Sequence, residues 1–157
     1  MQHQPIKRIL VPVDFSTCSR LALERASVLA ESLEATIDLL HVWQPPPIVA
    51  PEAMIGTSTE NPGLVQVARQ QAEIAMNEFV KRARDSGARI EATRVEPGDP
   101  ARTIVDEADR GNYDLIAMGT HGRTGLAHLL LGSVAEKVVR RASRPVMTVR
   151  EPRPPPA

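Results

Sequence analysis

Two periods alternate along the chain. Residues 6–13 (IKRILVPV) are mostly apolar and rich in branched side chains, the pattern of a buried strand. After them Ala22, Ala26, Leu29 and Leu33 recur at helical spacing, with Cys18 one turn earlier and Ser16 or Thr17 placed to cap the helix. Residues 35–42 (ATIDLLHV) predict a second strand. A long helix follows over 64–86, with Ala68, Ala72, Ala75, Met76, Phe79 and Ala83 near one stripe and Gly87 closing it. Residues 89–95 alternate like a strand. Asp99 then stands as N-cap and Pro100 as first helical residue of a helix that buries Ile104, Val105 and Ala108 and ends at Gly111. Residues 113–119 form a strongly apolar strand, 133–142 a last helix and 145–149 a last strand.

This strand–helix alternation predicts an α/β fold, a parallel sheet with helices on both faces, within one domain spanning 1–150. The prolines of 43–63 exclude regular structure there. A loop of that length reads equally as a lid or as a tolerated insertion. The tail 151–157 (EPRPPPA) is expected to be extended and disordered. In open parallel sheets, ligands sit at the carboxyl ends of strands where the strand order reverses. Two segments at such ends carry chemistry: VDFS after the first strand and GTHGRTG after the fourth.

Composition narrows the function. Formal net charge is +0 and aromatic residues make up 3%, so the composition gives no electrostatic reason to expect nucleic acid or an anionic membrane as the main partner and little material for a base-stacking platform. The single cysteine, Cys18, permits no internal disulfide. No charged-then-apolar leader opens the chain, and no apolar run reaches about 18 residues. The expectation is a cytoplasmic protein without nucleic-acid or membrane partners.

No Walker loop occurs, and the turn after the first strand reads PVDFST rather than a dinucleotide fingerprint. What is present is Gly119-x-x-Gly122, nine residues, then Gly132-Ser133. The first pair can shape a concave turn of N–H groups, and Gly132 and Ser133 start a helix whose positive end favours an anion. Arg123 can add a charged fork. The residues support a second reading as well. Ser133-x-x-Glu136 matches a capping box that needs no ligand, Gly119 can end a strand and Gly122 can shape a turn.

The run GTHGRTGLAHLLLGSVAEKVVRRASRPVMTV resembles the ATP-binding signature of the universal stress protein family, and RILVPVDFS resembles that family's first strand and acidic turn. The resemblance covers about Lys7 to Arg150. It implies a Rossmann-like fold of the adenine nucleotide alpha-hydrolase kind, an open five-stranded parallel sheet of order 3-2-1-4-5. It further implies that Asp14 bonds the ribose hydroxyls, that Pro12 and Val13 line the adenine side, and that Val42 offers backbone groups to the adenine edge. Met118, Gly119, Thr120, His121, Gly122, Arg123, Gly132, Ser133 and Val134 would surround ribose and phosphates. The implied cofactor is ATP, with a Mg2+ ion carried by its phosphates and no metal held by the protein. The implied partner is a second copy, joined through 144–150; any downstream protein is unspecified.

Other residues carry less. Cys18 reads as a reactive helix-start thiol or as a small core residue, and His41 as a packed strand histidine. His121 and His128 have no companion at zinc spacing. No general base, Walker acid or catalytic dyad accompanies the glycine segment, which favours a nucleotide-binding stress or signalling module. The alternative is an enzyme of slow ATP hydrolysis or self-phosphorylation at Ser133, Ser16 or Thr124. A phospho-receiver domain is excluded because Asp14 stands alone, without a second acidic residue beside it.

Overall fold

The structure, a computed structural model, describes residues 5–45, 62–121 and 131–152. Its elements run β1 (Arg8–Pro12), α1 (Thr17–Leu33), β2 (Thr36–Trp43), α2 (Pro62–Asp85), β3 (Ala92–Pro97), α3 (Pro100–Arg110), β4 (Leu115–Gly119), α4 (Ser133–Arg141) and β5 (Val146–Val149). The strands form one parallel sheet of order β3-β2-β1-β4-β5. Successive residues point to opposite faces of a strand, so each central strand feeds two cores. Ile9, Val11, Ile37, Leu39, Leu115 and Ala117 pack under α1 and α2, against Leu23, Ala26, Met76 and Val80. Leu10, Leu40, Ile116 and Met118 pack under α3 and α4, against Ala101, Ile104, Ala135 and Val138.

Local signals set most helix ends. Ser16 caps α1, its side chain accepting from Ser19 N, and Asp99 caps α3 by accepting from Arg102 N with Pro100 at the first position. Gly111 closes α3 as expected. Gly87, at φ 94°, follows α2, a conformation that glycine adopts without a Cβ penalty.

Boundaries moved where neighbours decide them. β2 extends to Trp43 and β3 to Pro97 because these two residues pair with each other. β3 starts at Ala92 rather than at 89, since Ala92 is the first of its residues in register with β2. Pro97 is tolerated because β3 is an edge strand. α2 begins at Pro62, two residues before the expected start, where a missing N–H costs no helical bond. The remainder of the expected loop, 46–61, and 153–157 of the tail lie outside the described residues.

Among the buried polar residues, Asp38 is 3% exposed. It accepts from Arg8 Nη2 at 3.0 Å, Tyr113 Oη at 2.6 Å and Ala92 N at 3.1 Å. Arg8 also donates to Gly111 O at 2.5 Å and lies 4.6 Å from the Tyr113 ring centroid. Burial, reinforced by the bond to Asp38, pushes the Tyr113 hydroxyl up to about 12. Buried Glu107 is similarly held, by Arg94 at 2.7 Å and by Arg110. These pairs tie α3 and the turn after it to the sheet.

Candidate functional site

β1 is flanked by β2 on one side and β4 on the other, so the chain order reverses at β1. At the carboxyl ends of these strands lies a cleft of about 290 Å³. That is near the small end of ligand pockets, which run roughly 300–1,000 Å³.

Three groups of expected site residues meet there. Pro12, Val13 and Asp14 come from the end of β1, and Val42 from the end of β2. Met118, Gly119 and His121 come from β4 and its continuation. Gly132, Ser133 and Val134 come from the start of α4. Gly122 and Arg123 lie outside the described residues, as do Thr124 and His128.

Asp14 does not cap α1 itself. Its Oδ1 accepts from Ser16 N at 3.0 Å and Ser16 Oγ at 2.5 Å, and Ser16 is the cap. The turn therefore fixes the carboxylate while the helix is capped by another residue. Between the two stands Phe15 at φ 67°, a left-handed backbone that is rare for a bulky side chain.

The glycines have specific neighbours. A Cβ on Gly119 would stand 2.7 Å from Cys18 Cβ and 2.8 Å from the Cys18 carbonyl carbon, so Gly119 lets the first turn of α1 press against the end of β4. A Cβ on Gly132 would stand 2.8 Å from Thr120 O, the atom to which Gly132 N donates at 2.6 Å. The chain that leaves the sheet after Thr120 thus returns and is fastened to its point of departure. This is why the far glycine belongs with the first. Thr120 N donates to Val149 O in β5, so that N–H does not contribute to a concave donor turn facing the cleft.

The capping-box reading of Ser133 is corrected. Gly132 is the N-cap of α4, with no side-chain cap bond, and Ser133 is the first helical residue. Glu136 reaches Arg140 at 3.6 Å instead of folding back. The α4 N-terminus enters the cleft wall without a side-chain cap, which leaves its first-turn N–H groups and positive dipole end for an acceptor. Cys18 is the core alternative: it is 5% exposed, with Sγ 3.8 Å from Glu151 Oε1. Among the described residues, no group of three or more His, Cys, Asp or Glu side chains could hold a metal ion, and no helix is long and apolar enough to cross a membrane.

The model of the universal stress protein family matches residues 5–150. The chain belongs to that family. It is 33% identical over 147 residues to universal stress protein MJ0531 of Methanocaldococcus jannaschii, covering 94% of this chain and 84% of that one. The solved structure of MJ0577, also from Methanocaldococcus jannaschii, aligns with TM-score 0.77 at 28% identity, covering 96% of this chain and 100% of that one. A universal stress protein crystallised in complex with cAMP aligns with TM-score 0.64 at 26% identity, covering 94% of this chain and 98% of that one.

This universal stress protein domain lines its cleft with further residues that sequence reasoning missed: Ser19, Leu40, Pro100, Ile104 and Ala135. Ser19 was findable, one turn past the Ser16 cap on the helix that follows Asp14. Pro100 and Ile104 were not, because the lean of α3 over the cleft depends on its packing against α4 and the sheet.

Proposed function

We propose that the cleft binds an adenine nucleotide, ATP with its magnesium ion, and that the protein is a nucleotide-binding module in stress response or signalling. One observation carries this reading. A carboxylate acceptor, Asp14, stands on one side of the cleft, and a helix start without a side-chain cap, at Gly132 and Ser133, stands on the other. A ribose supplies the hydroxyl donors that the first requires, and a phosphate chain the negative charge that the second favours. Pro12 and Val13 would lie along the base, with the Val42 backbone at its edge. Met118, Gly119, His121 and Val134 would enclose ribose and phosphates. The magnesium ion would neutralise phosphate charge and take its ligands mainly from phosphates and water. The related structure holding cAMP supports the ligand class.

The same cleft supports a second reading. Ser133, freed from capping, is the hydroxyl nearest the α4 start, so slow transfer of a phosphoryl group from ATP to Ser133 Oγ is the enzymatic alternative. It would release ADP and a proton.

Titration calorimetry with ATP and magnesium tests the assignment, and absence of heat with the wild-type chain sinks it. A radiolabel time course separates the two readings. Label on the protein that Ser133→Ala abolishes supports transfer; bound but unchanged ATP supports the binding module. We further infer a homodimer through 144–150, because β5 is an edge of the sheet.

A further inference from the structure

We propose that His41 is a positioning residue for the cleft: it grips the β1–α1 turn on both sides of Asp14 and thereby sets where that carboxylate stands. The proposal rests on the adenine-nucleotide reading for its consequence, but not for its geometry. By strand alternation His41 shares the face of β2 that carries Ile37 and Leu39, toward α1 and α2, and stands next to Val42, which faces the cleft. It is 9% exposed and does not line the cleft.

Its grip has two parts. Before Asp14, Val13 O is 2.8 Å from His41 Nδ1. A carbonyl only accepts, so Nδ1 carries the proton and the ring tautomer is set. Val13 N meanwhile donates to Leu40 O at 2.8 Å, so both polar groups of Val13 are tied to β2. After Asp14, the Phe15 ring packs on the imidazole with centroids 4.3 Å apart and planes at 37°. Phe79 of α2 backs the Phe15 ring at 5.7 Å.

These contacts account for the backbone. A left-handed conformation at a residue such as Phe15 is strained and persists where surrounding contacts over-determine it. Phe15 at φ 67° sends its ring to the α1–α2 face, and its neighbour Asp14 faces the cleft. A site residue performs only when its support holds it within about 0.5 Å of the productive position. The His41 side chain touches the residues both before and after Asp14.

Two variants divide the grip. His41→Phe keeps a ring for Phe15 and loses the donor to Val13; His41→Asn keeps an N–H near the Nδ1 position and loses the ring. The first readout needs no nucleotide. Ser16 N–H is bonded to Asp14 Oδ1, so its hydrogen exchange by NMR reports the carboxylate's placement. His41→Phe is expected to speed Ser16 exchange, with the core amides of Ile9 and Leu39 unchanged, and His41→Asn to restore part of the protection. Exchange that is unchanged at Ser16, or faster everywhere alike, overturns the proposal.

The second readout is a double-mutant cycle for ATP affinity with Asp14→Asn. We expect His41→Phe to weaken ATP about tenfold with Asp14 present and under about twofold with Asn there. Equal loss in both backgrounds overturns the positioning role. If the wild-type chain takes no ATP, the nucleotide reading has failed, and the Ser16 readout alone decides. Should His41→Phe not fold, His41→Asn carries the same cycle, with a smaller loss and the same dependence on Asp14.

Discussion

At the scale of single residues, chemistry and packing divide the conspicuous positions between them. Asp14 is the chemical one. Its replacement by Asn keeps the shape and removes the charge. The expected result is ATP binding weaker by about ten- to a hundredfold in calorimetry, the range of a hydrogen bond to an ionised group. Gly119 is the packing one, since its missing Cβ leaves room for Cys18. Gly119→Ala should cost about 1–3 kcal/mol in urea unfolding, because the neighbour it meets includes backbone. Tyr113 gives a direct optical test, being the single tyrosine. Its ionisation, followed by ultraviolet absorbance, should fall near 12 in the folded chain instead of 10. The folded value is raised above the unfolded one. Its contribution to stability is therefore complete below pH 10 and is lost as pH climbs toward 12.

At the scale of elements, what could be read in advance was what neighbours in sequence decide. The GDP turn named Asp99 and Pro100 as the start of α3, and both stand there. Asp99→Ala should lower stability by about 1 kcal/mol in thermal unfolding, the usual value of an N-cap. It should also loosen the cleft wall that Pro100 and Ile104 supply. Ser133 shows the limit. Its spacing to Glu136 matched a capping box, but the cap fell one residue earlier, on Gly132. The bond from Gly132 N to Thr120 O fixes where the helix starts, and Thr120 is a distant residue on β4's continuation that no local pattern reveals. The end of β3 is similar, set by pairing of Pro97 with Trp43.

At the scale of the whole molecule, β3 and β5 are the two edges of the sheet. Pro145 O, just before β5, and Val149 O in β5 accept from Ile116 N of β4 and Thr120 N just beyond it, so by strand alternation Val146 and Thr148 turn their N–H and C=O groups outward. Met147 packs on the core beneath α1, and a charge there would test the core as much as an interface. Thr148→Pro is the cleaner probe, removing an outward backbone N–H at a position whose side chain is exposed. If the proposed dimer forms through β5, sedimentation should show half the wild-type mass, with the helical circular dichroism retained. An unchanged mass would remove β5 as the dimer contact.

The sequence by itself determined the order and type of the elements, the apolar faces they bury and most helix caps. These follow from periodicity and from short-range hydrogen bonds, which one segment carries alone. The spacing of its glycines pointed to one functional end of the sheet, although it left a capped turn and an anion site equally open. Only the tertiary structure shows what Gly119 and Gly132 approach, because the atoms belong to α1 and to Thr120. It alone brought His41 to both sides of Asp14, through contacts between residues far apart in the chain. The physical reason is the same in each case. A strand's period says which way a side chain points, whereas what it meets depends on which strands lie beside it.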